Sequence, residues 1–501
     1  MGPAIWRLTL LTATLSSALH AGEPLSFCPG PDERYRSRLY QVSSADGDPA
    51  FVYSRENGWK EVPDKNGGTW PCPVMSADNH WVAVSAGGDV HLTIRALGIK
   101  PSRVELLPER PGNGVTLAAD GSVQVTLKRS DEWPGYSFVR IDGEYGDRHP
   151  LFIFVDAPET EIPAPGPGVH FFGPGVHDIG PHYAVQTGET VYLAPGAVVR
   201  GTITARGSDI RICGRGVLSG ELLQEKWIRH KRGFVAKPKD ARAHGIAPMV
   251  WNDAWLGSTT VEGITIIDAP GYNLSLNGRF TVRNVKLLSW NYSTDGISGG
   301  PGLVERCFIK VNDDVFTLYH SDRTLRHLVI WKQMNQAVFQ LGYGYARAVK
   351  DILAEKIEII RDETETQNGH RGIIVLCASK GCSFTNVRFQ DIKVYGDTLN
   401  LLAIDNLDQD TPWSQKVENV TLRNIDLTLR RVTVTGTERG RWWGPFMDRK
   451  GQPMRSRLRT ATPGKIRVLF EDVSINGVRL RSEQDFPNGL ETQGDGSLEF
   501  R

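Results

Sequence analysis

One short motif recurs along the chain and restricts its fold more than any other feature. It reads Val261-Glu-Gly-Ile-Thr-Ile, Val282-Arg-Asn-Val-Lys-Leu, Val304-Glu-Arg-Cys-Phe-Ile, Leu325-Arg-His-Leu-Val-Ile and Val349-Lys-Asp-Ile-Leu-Ala. The starts lie 21, 22, 21 and 24 residues apart, and cousins begin at Phe384 and Val417 after gaps of 35 and 33. Apolar residues hold the first and fourth positions and usually the sixth. The units are rich in Val, Ile, Thr and Asn rather than Ala and Leu, and they lack the fixed Asn of leucine-rich repeats. Self-similarity at this period, built from strands and turns, predicts a parallel β-helix. The extra length after 349 and 384 predicts loops walling an axial groove, a shape suited to a linear polymer.

The flanking segments read differently. Residues 1–21 carry Arg7, an apolar run from Leu8 to Ala18 and an Ala-Leu-His-Ala cleavage pattern, the marks of a secretory signal peptide. Residues 22–166 hold short alternating runs, Val90-Leu92-Ile94 and Val123-Val125-Leu127, plus the more fully apolar Leu151 to Val155. Turn clusters separate them, which predicts a β-sandwich. Four prolines between 157 and 168 make a stiff linker. The expectation is an all-β chain: an N-terminal β-sandwich (22–166), a right-handed parallel β-helix (167–480) and a C-terminal tail (481–501).

Composition narrows the class of partner. Lys and Arg number 58 against 57 Asp and Glu, so no bulk cationic character points to nucleic acid. No later stretch is long and apolar enough to span a membrane. A secreted or periplasmic monomer is expected. Six cysteines suit an oxidising compartment. Cys28 could pair with Cys72 and Cys377 with Cys382, while Cys213 and Cys307 read as buried thiols.

Two acidic clusters lie about one coil apart: Trp290-Asn-Tyr-Ser-Thr-Asp295-Gly296 and Asn312-Asp313-Asp314. Stacking would bring three carboxylates onto one face. Glycoside hydrolysis needs such a set, with one carboxyl protonated to serve the leaving oxygen and another ionised to activate water. Asp-Gly is equally a turn dipeptide, and Asn-Asp-Asp a solvated or calcium-binding turn, so spacing leaves a structural role open. Trp290, Tyr292, Tyr319, Trp331, Tyr343 and Tyr345 surround the acids and suit either sugar stacking or coil packing. Lys310, Asn312, His320, Lys332, Asn335, Gln340 and Arg347 are candidate partners for sugar hydroxyls. Asn284, Asn386 and Asn419, at the third repeat position, read as structural. Basic runs at 226–244 and 430–459 suit solvated loops or attraction to an anionic polysaccharide.

These residues carry a family resemblance. Asn312-Asp313-Asp314, Tyr319-His320-Ser321, Val329-Ile-Trp331-Lys332, Asn335 and Val338-Phe-Gln340-Leu-Gly-Tyr343 resemble glycoside hydrolase family 49, the dextranases and isopullulanases, over residues 285–350. That family is related to the polygalacturonase-type β-helix hydrolases. The resemblance implies an inverting endo-hydrolase of an α-glucan such as dextran or pullulan, with Asp313 as general acid and Asp295 and Asp314 as bases. It implies no cofactor and no metal. The Gly-His-Gly and Arg-Ile-Lys motifs that grip galacturonate are absent, and Thr317 stands where dextranase-like sequences have lysine. Two other readings stay open: a hydrolase or lyase of an anionic polysaccharide, pectin-like or sulfated, and a non-catalytic glycan-binding β-helix. Calcium dependence and unsaturated products would mark a lyase; binding without turnover would mark the last.

Overall fold

A computed structural model describes residues 25–56, 61–63, 69–71, 78–130, 132–223, 248–291, 294–333, 335–342, 348–363, 372–378, 383–396, 398, 401–406, 416–428, 456–459, 466–486, 490–493 and 496–501. The expected signal segment, Cys72, Cys382, the first basic run and 430–455 of the second lie outside them.

The repeats form a parallel β-helix. Among the described residues a single 28-stranded sheet runs from Val169–Phe172 to Gly496–Phe500. Val261, Val282, Val304 and Leu325 pair in register on successive coils. The fourth-position residues Ile264, Val285, Cys307 and Leu328, and the sixth-position Ile266, Leu287, Ile309 and Ile330, join them in one buried core. The third position turns the chain between them. Asn284, Arg306 and His327 take φ of 59°, 55° and 55°, a left-handed conformation that Asn and Asp tolerate best. Asn386 and Asn419 do the same at 56° and 51°, which gives the recurring asparagine its reason.

Two expectations are corrected. Leu325 pairs with Ala354, not Val349; Val349 opens a longer strand, Ala348–Asp362, and pairs onward with Phe384. The segment after 480 is not a free tail, because Leu490–Gln493 and Gly496–Phe500 extend the parallel ladder.

Residues before 157 form two further large sheets beside a two-stranded one, Glu61–Pro63 with Thr69–Pro71. One holds Asn79–Ser85, Leu151–Asp156, Gly135–Ile141 and Val104–Leu107; the other holds Tyr40–Ser44, Val90–Ala96, Val123–Leu127 and Gly114–Leu117. Val90, Leu92, Ile94, Val123, Val125 and Leu127 meet Val82, Val84, Leu151 and Ile153 in a shared core, so the two sheets make a sandwich.

The apolar run from Leu151 has a second cause. Leu151 and Ile153 face the sandwich core, while Phe152 and Phe154 face the β-helix. Phe152 lies 4.8 Å from Phe308 and 5.7 Å from Trp331, ring centre to ring centre. A buried ion pair crosses the same interface: Lys286 Nζ sits 2.5 Å from Asp156 Oδ2. Burial alone would raise the Asp156 carboxyl, but Lys286 and Arg215 outweigh it and hold it below the usual range.

Cys213 and Cys307 are free and buried, as expected, and burial pushes Cys307 up to about 12. Cys28 is also a free thiol, with Sγ 3.6 Å from the Tyr53 hydroxyl, and its candidate partner Cys72 lies outside the described residues. No described helix is long and apolar enough to cross a membrane.

Candidate active site

Seven short strands carry one outward ladder, half-buried at Ser275 and Ser298 and buried at Thr317, Gln340, Val375 and Ala403. Each carries apolar residues inward, Leu274 and Leu276, Ile297, Phe316, Phe339 and Leu341, Ile374 and Leu376, which belong to the helix core. Alternation turns the residue between them outward. Register then stacks Trp251, Ser275, Ser298, Thr317, Gln340, Val375 and Ala403 along the axis. Small polar residues hold the middle of this floor.

The three aspartates enter at one edge of it. Asp295 lies one residue short of the strand Ile297–Gly299, and Asp313-Asp314 lie one residue short of Phe316–Thr317. Ladder bonds fix their relative height: Gly296 N donates to Asp314 O at 2.8 Å and Asn273 N to Asp295 O at 2.8 Å. Asp313 and Asp314 are only 8% and 6% exposed, and Asp295 is half-buried. Asn335 Nδ2 donates to Asp313 Oδ2 at 2.8 Å, and Asp314 N donates to Asp313 Oδ1 at 3.0 Å. Ala337 N donates to Asp314 Oδ1 at 3.1 Å.

Tyr319 closes the far side. Burial first, then the charges of Asp314, Asp295 and Asp313, push its phenol far above the ordinary range. The three carboxylates therefore act together on one phenol, which stays protonated and can donate a hydrogen bond.

Several expected sugar contacts serve the scaffold instead. Asn312 is buried between coils: its Nδ2 donates to Trp290 O at 3.0 Å, its N to Thr294 Oγ1 at 3.0 Å, and its Oδ1 accepts from Asn335 N at 3.2 Å. Trp290 is buried, with its indole N–H 3.2 Å from Asp268 Oδ1. Trp331 is fully buried in the interface with the sandwich and donates to Glu363 at 3.0 Å. Lys310 is buried beside it and donates to Asn79 Oδ1 at 2.7 Å. Lys332 is fully buried and donates to the carbonyls of Gln333 (2.6 Å) and Asn335. That bond braces the residue that holds Asp313. Asn335 is itself a support of the acid.

Gln340 does lie on the floor, buried, with no hydrogen-bond partner for Oε1 among the described residues. His320 is half-buried at the rim. Tyr292, Tyr343, Tyr345 and Arg347 lie outside the described residues.

Two rim residues escaped the sequence reading. Trp255 is 58% exposed and Tyr272 is 43% exposed. The Trp255 ring lies 5.7 Å from that of His320, and Tyr272 adds to the field on Tyr319. Their sequence signal was weak: each is an aromatic in a turn, out of step with the repeat.

One group of three described residues could hold a cation, Asp78, His80 and His149, with ligand atoms within 4.8 Å of one another. It belongs to the sandwich and not to the aspartate cluster. His149 Nδ1 lies 2.9 Å from Asp78 Oδ2, and His80 Nδ1 lies 3.0 Å from Ser37 Oγ.

Comparison with known proteins agrees with the motif resemblance. No family model matches the chain. It is similar to the isopullulanase of Aspergillus niger, 24% identical over 330 residues, covering 56% of this chain and 55% of that protein. It is similar to a dextranase of an Arthrobacter strain, 31% identical over 165 residues, covering 30% of this chain and 26% of that protein. The matches thus span about half of the isopullulanase and a quarter of the dextranase. A solved structure, Dex49A from Penicillium minioluteum, shares the fold: TM-score 0.70 over 95% of this chain and 96% of that one, at 18% identity.

Proposed function

We propose that this chain is a secreted glycoside hydrolase that cleaves an α-glucan with inversion. One observation carries the reading: Asp295 and the buried pair Asp313-Asp314 sit on adjacent coils at the same edge of the ladder, tied by the bond from Gly296 N to Asp314 O. The relatives named isopullulanase and dextranase supply the substrate class.

In this scheme Asp313 holds the proton. It passes to the glycosidic oxygen as the anomeric carbon–oxygen bond breaks. Water attacks the anomeric carbon from the opposite face and gives its proton to Asp295 or Asp314. Charges on those two carboxylates oppose ionisation of Asp313 and so help it keep the proton. Asn335 and Lys332 fix where Asp313 points. The scheme uses no metal and no cofactor. Among the described residues, the outward ladder from Ser275 to Gln340 holds no cationic side chain, which favours a neutral sugar over a uronate or a sulfated one.

Reducing-sugar release from dextran, pullulan, α-1,3-glucan and polygalacturonate tests the reading. The wild type should cleave an α-glucan, and Asp313→Asn should be at least about 10²-fold slower. Equal rates for the two proteins would remove Asp313 from the chemistry. Cleavage of polygalacturonate alone would replace the substrate class.

A further inference from the structure

Trp255 is a large apolar ring left in solvent beside His320. It sits in the turn after the strand Val250–Asn252. That turn is tethered. Ala254 N donates to Asn252 Oδ1 at 2.7 Å, Gly257 N to Ala254 O at 3.2 Å, and Arg279 N to Gly257 O at 2.9 Å. Asn252 is itself fully buried and bonded to Thr259.

The turn therefore presents the ring on a fixed backbone, and a pre-organised contact loses little entropy on binding. The ring leans across the intervening coils. The strand before Trp255 is separated from the strand before His320 by two others, Leu274–Leu276 and Ile297–Gly299, yet the rings are 5.7 Å apart. The turns beneath are built of glycine. A Cβ on Gly278 would meet Gly257 O at 2.1 Å, and one on Gly300 would meet Asn277 O at 2.5 Å.

His320 follows Tyr319, the phenol that the three carboxylates face. Five residues, Val315 to Tyr319, separate His320 from Asp314, a reach of about 20 Å at most in extended chain. A short run of sugar units would cover that distance.

We propose that Trp255, held against His320, is a stacking platform for a pyranose ring of a neutral glucan, on the rim opposite the carboxylates and toward the N-terminal coils. This rests on the hydrolase reading above. The axial C–H groups of a pyranose suit the face of an indole, and a ring exposed over more than half its surface offers that face. A glucan crossing the floor obliquely would meet the carboxylates and then Trp255. Tyr272, also exposed, flanks the same path.

Calorimetric binding of six-unit oligosaccharides from dextran and from pullulan to the Asp313→Asn protein tests this. Adding Trp255→Ala should weaken the tighter of the two about tenfold, and Trp255→Phe should recover most of it. Circular dichroism would establish that the variants fold. If Asp313→Asn binds an oligosaccharide and Trp255→Ala binds it equally well, the platform is wrong and the hydrolase reading stands. If Asp313→Asn binds neither oligosaccharide, the glucan reading and the platform fall together.

Discussion

Asn335 reaches from the next coil to hold Asp313, and Lys332 holds Asn335. The Nδ2 donor on Asp313 Oδ2 favours the ionised acid, against the push of two neighbouring carboxylates. Asn335→Ala removes that donor and frees the side chain. We expect kcat to fall on the order of 10²-fold with little change in KM. The Asp313 pKa should rise, so the alkaline limb of the pH–rate profile should move to higher pH. Lower thermal stability with an unmoved profile would reduce Asn335 to a packing role. The juxtaposition of the aspartates was legible from their spacing, because about one coil separates the two clusters. Trp331, Lys332 and Lys310 were misread as sugar contacts for a physical reason. Strand period says which residues point outward, but not what covers them. Lys310 and Trp331 stand at the seventh repeat position, and there the sandwich covers the outward face.

At the scale of one coil, the third repeat position is the joint. Its left-handed backbone lets the first, fourth and sixth residues all point inward. Asn386 is exposed, has φ of 56°, and donates to Asp351 Oδ1 at 2.5 Å. A β-branched residue there should be strained. Asn386→Val should lower unfolding stability by about 1–2 kcal/mol, and Asn386→Gly by less. Urea unfolding of the two variants measures this; equal losses would show that the lost hydrogen bond, not the backbone, matters. The recurring Asn was therefore readable as structure. The offset at Val349 was not. Leu325 and Val349 both open an apolar pattern, and only the inter-strand register shows that Leu325 meets Ala354.

Across the whole molecule, the sandwich is a second wall of the β-helix. Its Phe152, Phe154 and Phe138 pack on Phe308 and Trp331, and Lys310 is enclosed in the same interface. Burial pushes the Lys310 ammonium down to about 7. The unfolded chain keeps that proton up to the ordinary lysine range, so between the two values the unfolded state binds more protons. Stability should rise with pH across that window and be lost as pH falls toward 7. Lys310→Met should remove this rise, a difference on the order of a few kcal/mol between about pH 7 and about pH 10 by urea unfolding. Parallel profiles would contradict it. The apolar stretch at Leu151 hinted at this interface, since a strand buried on both faces needs a partner on each. Which coils supplied the partner could not be read before the register was known.

The central claim is inverting hydrolysis of an α-glucan by this aspartate cluster. Early-time proton NMR of dextran and pullulan digests tests it most directly. The account predicts that the first new reducing ends are β-anomers, formed by the wild type and not by Asp313→Asn. Reducing ends appearing first as α-anomers would show retention, and with it a different role for Asp295 and Asp314.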